Sequence, residues 1–279
     1  MIDSYSLGNA VPGPRLGARE YLVVGGGLAG IALAGWAYMF YMAWAMANMD
    51  KVDMWMPPLA TATWTAWDFF MLFVMWATMM VAMMTPSILP MVAMFASLNK
   101  NRRSRQQPYT PTFIFVAGYL LAWTGFSVLA TIAQWPLHTS GLLNPMMDSR
   151  SYLLSGVVLI VAGIYQWTPA KDACLKTCRS PLGFLMTQWR EGAMGALVMG
   201  VRHGIYCVGC CWALMLVLFG VGVMNMLWVM LITAFVLIEK VLPAPGFMRI
   251  TSGLGLICWG GVLAKPVLQV MRDTKPEKP

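Results

Sequence analysis

Three of the chain's six cysteines and one of its two histidines fall in ten residues, HGIYCVGCCW, from His203 to Trp212. At 3.6 residues per turn, His203, Cys207, Cys210 and Cys211 (i, i+4, i+7, i+8) share one helical stripe, and Met199 extends it. Gly204 and Gly209 thin the same helix. A single buried cysteine is an ordinary small core residue. Three on one face beside an imidazole point instead to metal binding or thiol redox chemistry.

Two other helices are expected to add donors at the same depth. The next apolar segment turns back near Gly222–Met224, which sets Glu239 level with His203–Cys207. An acid inside a membrane is a functional candidate unless a neighbouring cation accounts for it, here Lys240, Arg202 or Arg249. Farther upstream, MWATMMVAMMTPSILPM sets Met75, Met79 and Met83 on one stripe and Met80 and Met84 on a second beside it. Pro86 and Pro90 just below predict a kink or an unwound turn with freed carbonyls.

Thiolate with thioether selects soft ions, above all Cu(I). Zinc is the alternative, accepting Cys, His and Glu but gaining little from Met. Calcium and magnesium want oxygen ligands. The spacing is no standard iron–sulfur pattern, and Cys210-Cys211-Trp212 does not supply the CxxCH of a c-type haem. A dithiol enzyme would want its CxxC at a helix N-terminus, whereas Cys207–Cys210 lies well inside a helix.

Two satellite groups complete the set. In TPAKDACLKTCRSPL, Thr168 and Pro169 read as an N-cap and N1 pair, so Cys174 and Cys178 fall one turn apart on a short helix and are candidates for a metal relay. At the opposite membrane face, Met46, Met49, Asp50, Asp53 and His138 are candidates for metal capture, with Met146, Met147 and Asp148 near His138.

The elements that must hold these residues are transmembrane helices. The chain has 279 residues, 59% hydrophobic and only 11% charged, against about one quarter charged in an ordinary soluble domain. Seven segments approach the roughly 20 apolar residues of a spanning helix: 21–44, 66–98, 112–136, 151–168, 195–222, 224–242 and 250–270. The last is the weakest because Lys265 and Pro266 shorten it. The expected fold is an all-α bundle of six or seven spanning helices: a polar tail over 1–20, one transmembrane domain over 21–272 and a tail over 273–279.

The net charge of +8 is a topology signal, not a nucleic-acid footprint. Arg15 and Arg19, then Lys100, Arg102, Arg103 and Arg105, then Lys171, Lys176, Arg179 and Arg190 mark the N-terminus and alternate loops as cytoplasmic. The first run is too long for a cleavable signal core. The expected location is a bacterial cytoplasmic membrane, with the lipid bilayer and other membrane subunits or a metal chaperone as partners. GGGLAG has the GxGxxG spacing of a dinucleotide site but runs straight into IALAGWAYMFYMAW without a βαβ unit. Gly26 and Gly30 read as a helix-packing face instead.

The segments MWATMMVAMMTPSILP, YQWTPAKDACLKTCRSPLGFL, GVRHGIYCVGCCWALMLVLFGVGVMNMLWV and EKVLPAPG resemble a bacterial family of predicted metal-binding integral membrane proteins of unknown function. The resemblance covers about residues 64–264. It implies metal binding and confers no reaction. Three functions follow from the residues: Cu(I) carriage, buffering or delivery; a subunit of a membrane metal-dependent oxidoreductase or monooxygenase, or a membrane dithiol oxidoreductase; and a structural subunit of a larger membrane assembly. With only His138 and His203, on opposite sides, the chain lacks the several imidazoles of an autonomous copper oxygenase.

Overall fold

The computed structural model describes residues 18–58, 62–104, 110–144, 147, 149–242 and 245–273. The tails at 1–17 and 274–279, and Met146 and Asp148 of the candidate capture set, lie outside the described residues. All regular structure among the described residues is helical: α1 Ala18–Ala47, α2 Ala66–Ser104, α3 Thr112–Thr139, α4 Tyr152–Gln166, α5 Pro169–Arg179, α6 Pro181–Gln188, α7 Gly192–Val221, α8 Met226–Val241 and α9 Pro245–Asp273.

Five of these are long and apolar enough to cross a membrane: α1, α2, α3, α7 and α9. Helices α4 and α5 make a sixth span if taken together, bent by 65° at Trp167–Thr168. The bend is local chemistry. The Thr168 hydroxyl accepts the Lys171 N–H at 3.3 Å, and Pro169 opens the new helix. The protein is thus a multi-pass membrane helical bundle. Against the expected six or seven spans, the described helices give five, or six with the bent pair counted; α8, at 16 residues, rises only about 24 Å. It follows α7 through a tight turn that Gly222 makes at φ 100°, where a side chain would be strained.

Helix α2 runs through Pro86 and Pro90 without the unwound turn given above as one alternative. Hydroxyls serve the carbonyls of that turn: Thr85 Oγ1 donates to Val81 O at 2.6 Å, Ser87 Oγ to Met84 O at 2.9 Å, and Tyr119 from α3 to Met84 O at 3.2 Å. Helix α9 continues through Pro266 to Asp273, while its apolar run, Gly246–Pro266, ends at that proline and is still of spanning length.

The bundle closes along two seams of small residues. At the α3–α7 crossing, a side-chain carbon on Gly200 would collide with the Phe115 carbonyl, one on Gly118 with the Leu197 carbonyl, and one on Gly204 with Ala122. Backbones can approach this closely only without side chains. Gly156 and Gly163 of α4 meet Gly260 and Gly253 of α9 in the same way. The expected packing face at Gly26 and Gly30 is not used within the chain: both look onto open space, and α1 meets α2 instead at Gly35 against Ala82.

Basic residues collect at one end of the bundle. Arg102 of α2 pairs with Glu191 and stands 4.9 Å from the Trp189 ring centroid. Arg249 of α9 pairs with Asp172 of α5 at 2.8 Å. In the interior at the same end, Lys171 of α5 and Glu239 of α8 form an ion pair at 2.8 Å, their side chains 0% and 2% exposed.

Candidate metal centre

The α3–α7 seam decides what meets the thiols. With the two backbones in contact, Tyr119 lies against α7, and its hydroxyl stands 3.1 Å from Cys207 Sγ. From the opposite side, Lys240 of α8 donates from Nζ to Cys207 Sγ at 2.9 Å and to Ser87 Oγ of α2 at 2.9 Å. One cysteine sulfur therefore sits where α2, α3, α7 and α8 converge.

The other thiols surround it. Cys210 and Cys211 donate to the Cys207 carbonyl at 3.1 and 3.0 Å, the usual recourse of small polar side chains inside a helix. All three are buried. The predicted short helix is present as α5, and its inward face carries Lys171, Cys174, Leu175 and Cys178. Cys178 Sγ lies 4.0 Å from Cys210 Sγ. Cys174 Sγ occupies the space left by Gly209, 2.7 Å from where a side-chain carbon there would sit. Five of the six cysteines thus gather around one stretch of α7; Cys258 is exposed on α9.

His203 is one turn below Cys207. Its ring is enclosed by aromatic groups, with centroids 5.3 Å from Phe184, 6.0 Å from Tyr119 and 6.2 Å from Phe115. It is 3% exposed, and its Nδ1 has no hydrogen-bond partner. Buried polar atoms are nearly always paired, so this nitrogen stands out.

The methionines Met79, Met80, Met83 and Met84 are all buried and belong to the same core as the cysteines. Met84 reaches the thiol region through its carbonyl, which shares the Tyr119 hydroxyl with Cys207. Met199 is also buried, its sulfur accepting the Arg190 N–H at 3.3 Å.

The reading of Glu239 needs correction. It lies at the expected end, but its partner is Lys171, and Arg179 donates to its backbone carbonyl. Lys240, expected beside Glu239, turns away to Cys207. Successive residues on a helix point about 100° apart, so the two cannot serve the same neighbour.

The opposite end is built differently. His138 is buried, and its Nε2 lies 3.1 Å from the Gln134 amide nitrogen. The Trp76 indole N–H donates to Gln134 Oε1, which orients that amide so that its NH₂ donates to the histidine. Met49, Asp50 and Asp53 are exposed, and Met46 is half-buried. Among the described residues, no three His, Cys, Asp or Glu side chains converge as a ready group for a metal ion at either end.

Sequence reasoning missed Tyr119, Ser87, Lys171 and Phe184. Lys240 shares the depth that singled out Glu239, but the depth rule does not say that it turns to Cys207. Phe184 sits on α6, whose start is signalled by Ser180-Pro181. Tyr119 had a weaker signal in Gly118 beside it. Residues 73–263 match a family model, PpoB2, described as a copper chaperone. No curated protein and no solved structure matches the chain.

Proposed function

Since the chain belongs to the PpoB2 copper chaperone family and handles copper as a membrane protein, we propose that it carries Cu(I) as cargo on Cys207 and His203. The observation that carries this reading is the buried Nδ1 of His203, unpartnered one turn from the sulfur where four helices meet. A thiolate and an imidazole at i and i+4 suit a soft ion at low coordination number. Such a site asks for no third His, Cys, Asp or Glu, in keeping with the ligand geometry. Zinc would ask for four ligands.

Cys210 and Cys178 lead from Cys207 across to α5, with Cys174 beside Gly209. They supply successive sulfurs along which the ion moves between the interior and a partner that donates or accepts it. Met83 and Met84, buried on α2, are the candidate neutral thioether donors of this reading.

X-ray absorption on the Cu(I)-loaded full-length protein tests the ligand set. The expected result is about one copper per chain with both sulfur and imidazole nitrogen bound. A sulfur-only shell, or one of carboxylate oxygens, would overturn the assignment of His203.

A further inference from the structure

The Lys240 ammonium is the feature that a copper site at Cys207 leaves unexplained. It comes from α8 and, among the described residues, donates to Cys207 Sγ at 2.9 Å and Ser87 Oγ at 2.9 Å. A buried ammonium needs partners of matching charge or polarity. The nearby acid does not provide one: Glu239 is paired with Lys171. Asp172 is likewise held by Lys176 and Arg249. Cys207 sulfur is therefore the principal counterpart of this lysine.

A copper-binding sulfur cannot keep that role. A cation placed on Cys207 Sγ would stand beside the ammonium in a medium that screens poorly. One sulfur would face two positive charges. The ammonium can turn to Ser87 alone, which it already touches, and return when the ion departs.

Resting on the reading of Cys207 as a copper ligand, we infer that Lys240 is the partner that Cys207 exchanges for copper. Its ammonium competes with Cu(I) for the sulfur and loosens the site enough for the cargo to be passed on. The site is thus occupied by a cation in both states, tethered in one and diffusible in the other. The lysine tunes affinity without binding metal. A neutral hydrocarbon side chain removes the competitor and leaves the ligands in place.

The experiment is competition for Cu(I) against a chelator of known affinity, using the full-length protein in detergent. The parent, Lys240→Leu and Cys207→Ser are compared, leucine bringing no donor atom of its own. Lys240→Leu should hold copper about tenfold tighter and release it to the chelator more slowly. Equal or weaker binding by Lys240→Leu overturns the inference. A Cys207→Ser protein that loads as tightly as the parent removes the ligand assignment itself, so the two failures are told apart. Where Lys240→Leu does not fold, the unmutated protein decides. Acylation of Lys240 by an amine reagent, mapped by mass spectrometry, should rise several-fold on copper loading. Labelling that does not change overturns the exchange.

Discussion

The two histidines sit near opposite ends of the same bundle, both buried, and differ in what their nitrogens meet. At His138 a chain of hydrogen bonds runs from the Trp76 indole through the Gln134 amide to the ring. At His203 the neighbours are three aromatic rings, and Nδ1 is left without a partner. Burial is common to both and decides nothing. The difference is that one ring is used by the fold and the other keeps an atom in reserve. The surroundings differ in the same sense. The His203 end gathers five cysteines and the inward-turned Lys240, whereas at the His138 end Asp50 and Asp53 are exposed and Asp68 is held by Trp55 and Thr65.

The comparison depends on the α3–α7 seam, and breaking the seam should have the largest effect. Gly200→Ala drives a methyl group into the Phe115 carbonyl, a backbone atom that cannot swing aside. The helices must separate and withdraw Tyr119 from Cys207. A loss of about 3 kcal/mol or more is expected, read as a lowered melting temperature in detergent together with lost copper loading. Gly26→Ala, on a face with open space around it, should leave both unchanged.

Exchanging the fates of the histidines sharpens the contrast at smaller cost. His203→Leu should weaken Cu(I) binding about tenfold, some 1.4 kcal/mol, while the melting temperature stays near that of the parent. His138→Leu should do the reverse. It strands the Gln134 amide in the interior at a cost of about 1–3 kcal/mol, with copper affinity unchanged. Chelator competition and thermal unfolding on the same two proteins would show it. Equal copper loss in both variants would erase the distinction drawn here.

Much of this was legible in the sequence, for a physical reason. Apolar length is dictated by the bilayer, so all seven apolar segments coincide with helices, and the Cys stripe is buried as its spacing requires. The Thr168-Pro169 start of α5 was equally plain because capping is local chemistry. What escaped depends on how helices are turned about their axes. Glu239 and Lys240 are adjacent, and nothing in the sequence says which one faces the thiols. Pro86 and Pro90 read as a break because each removes the N–H that would bond the carbonyl four residues back, yet the helix continues through both. Gly26 and Gly30 have the packing spacing without the packing, whereas Gly200 and Gly204, with the same spacing, make the contact.

The central claim is that Cys207, where four helices meet, holds the copper cargo. Its most direct test is Cu(I) competition by Cys207→Ser beside His138→Ala, in the same detergent and against the same chelator. The account predicts that Cys207→Ser loses tight copper binding, by about a hundredfold or more, while His138→Ala keeps the parental affinity. Copper retained by Cys207→Ser and lost by His138→Ala would contradict it and move the cargo site to the other end of the bundle.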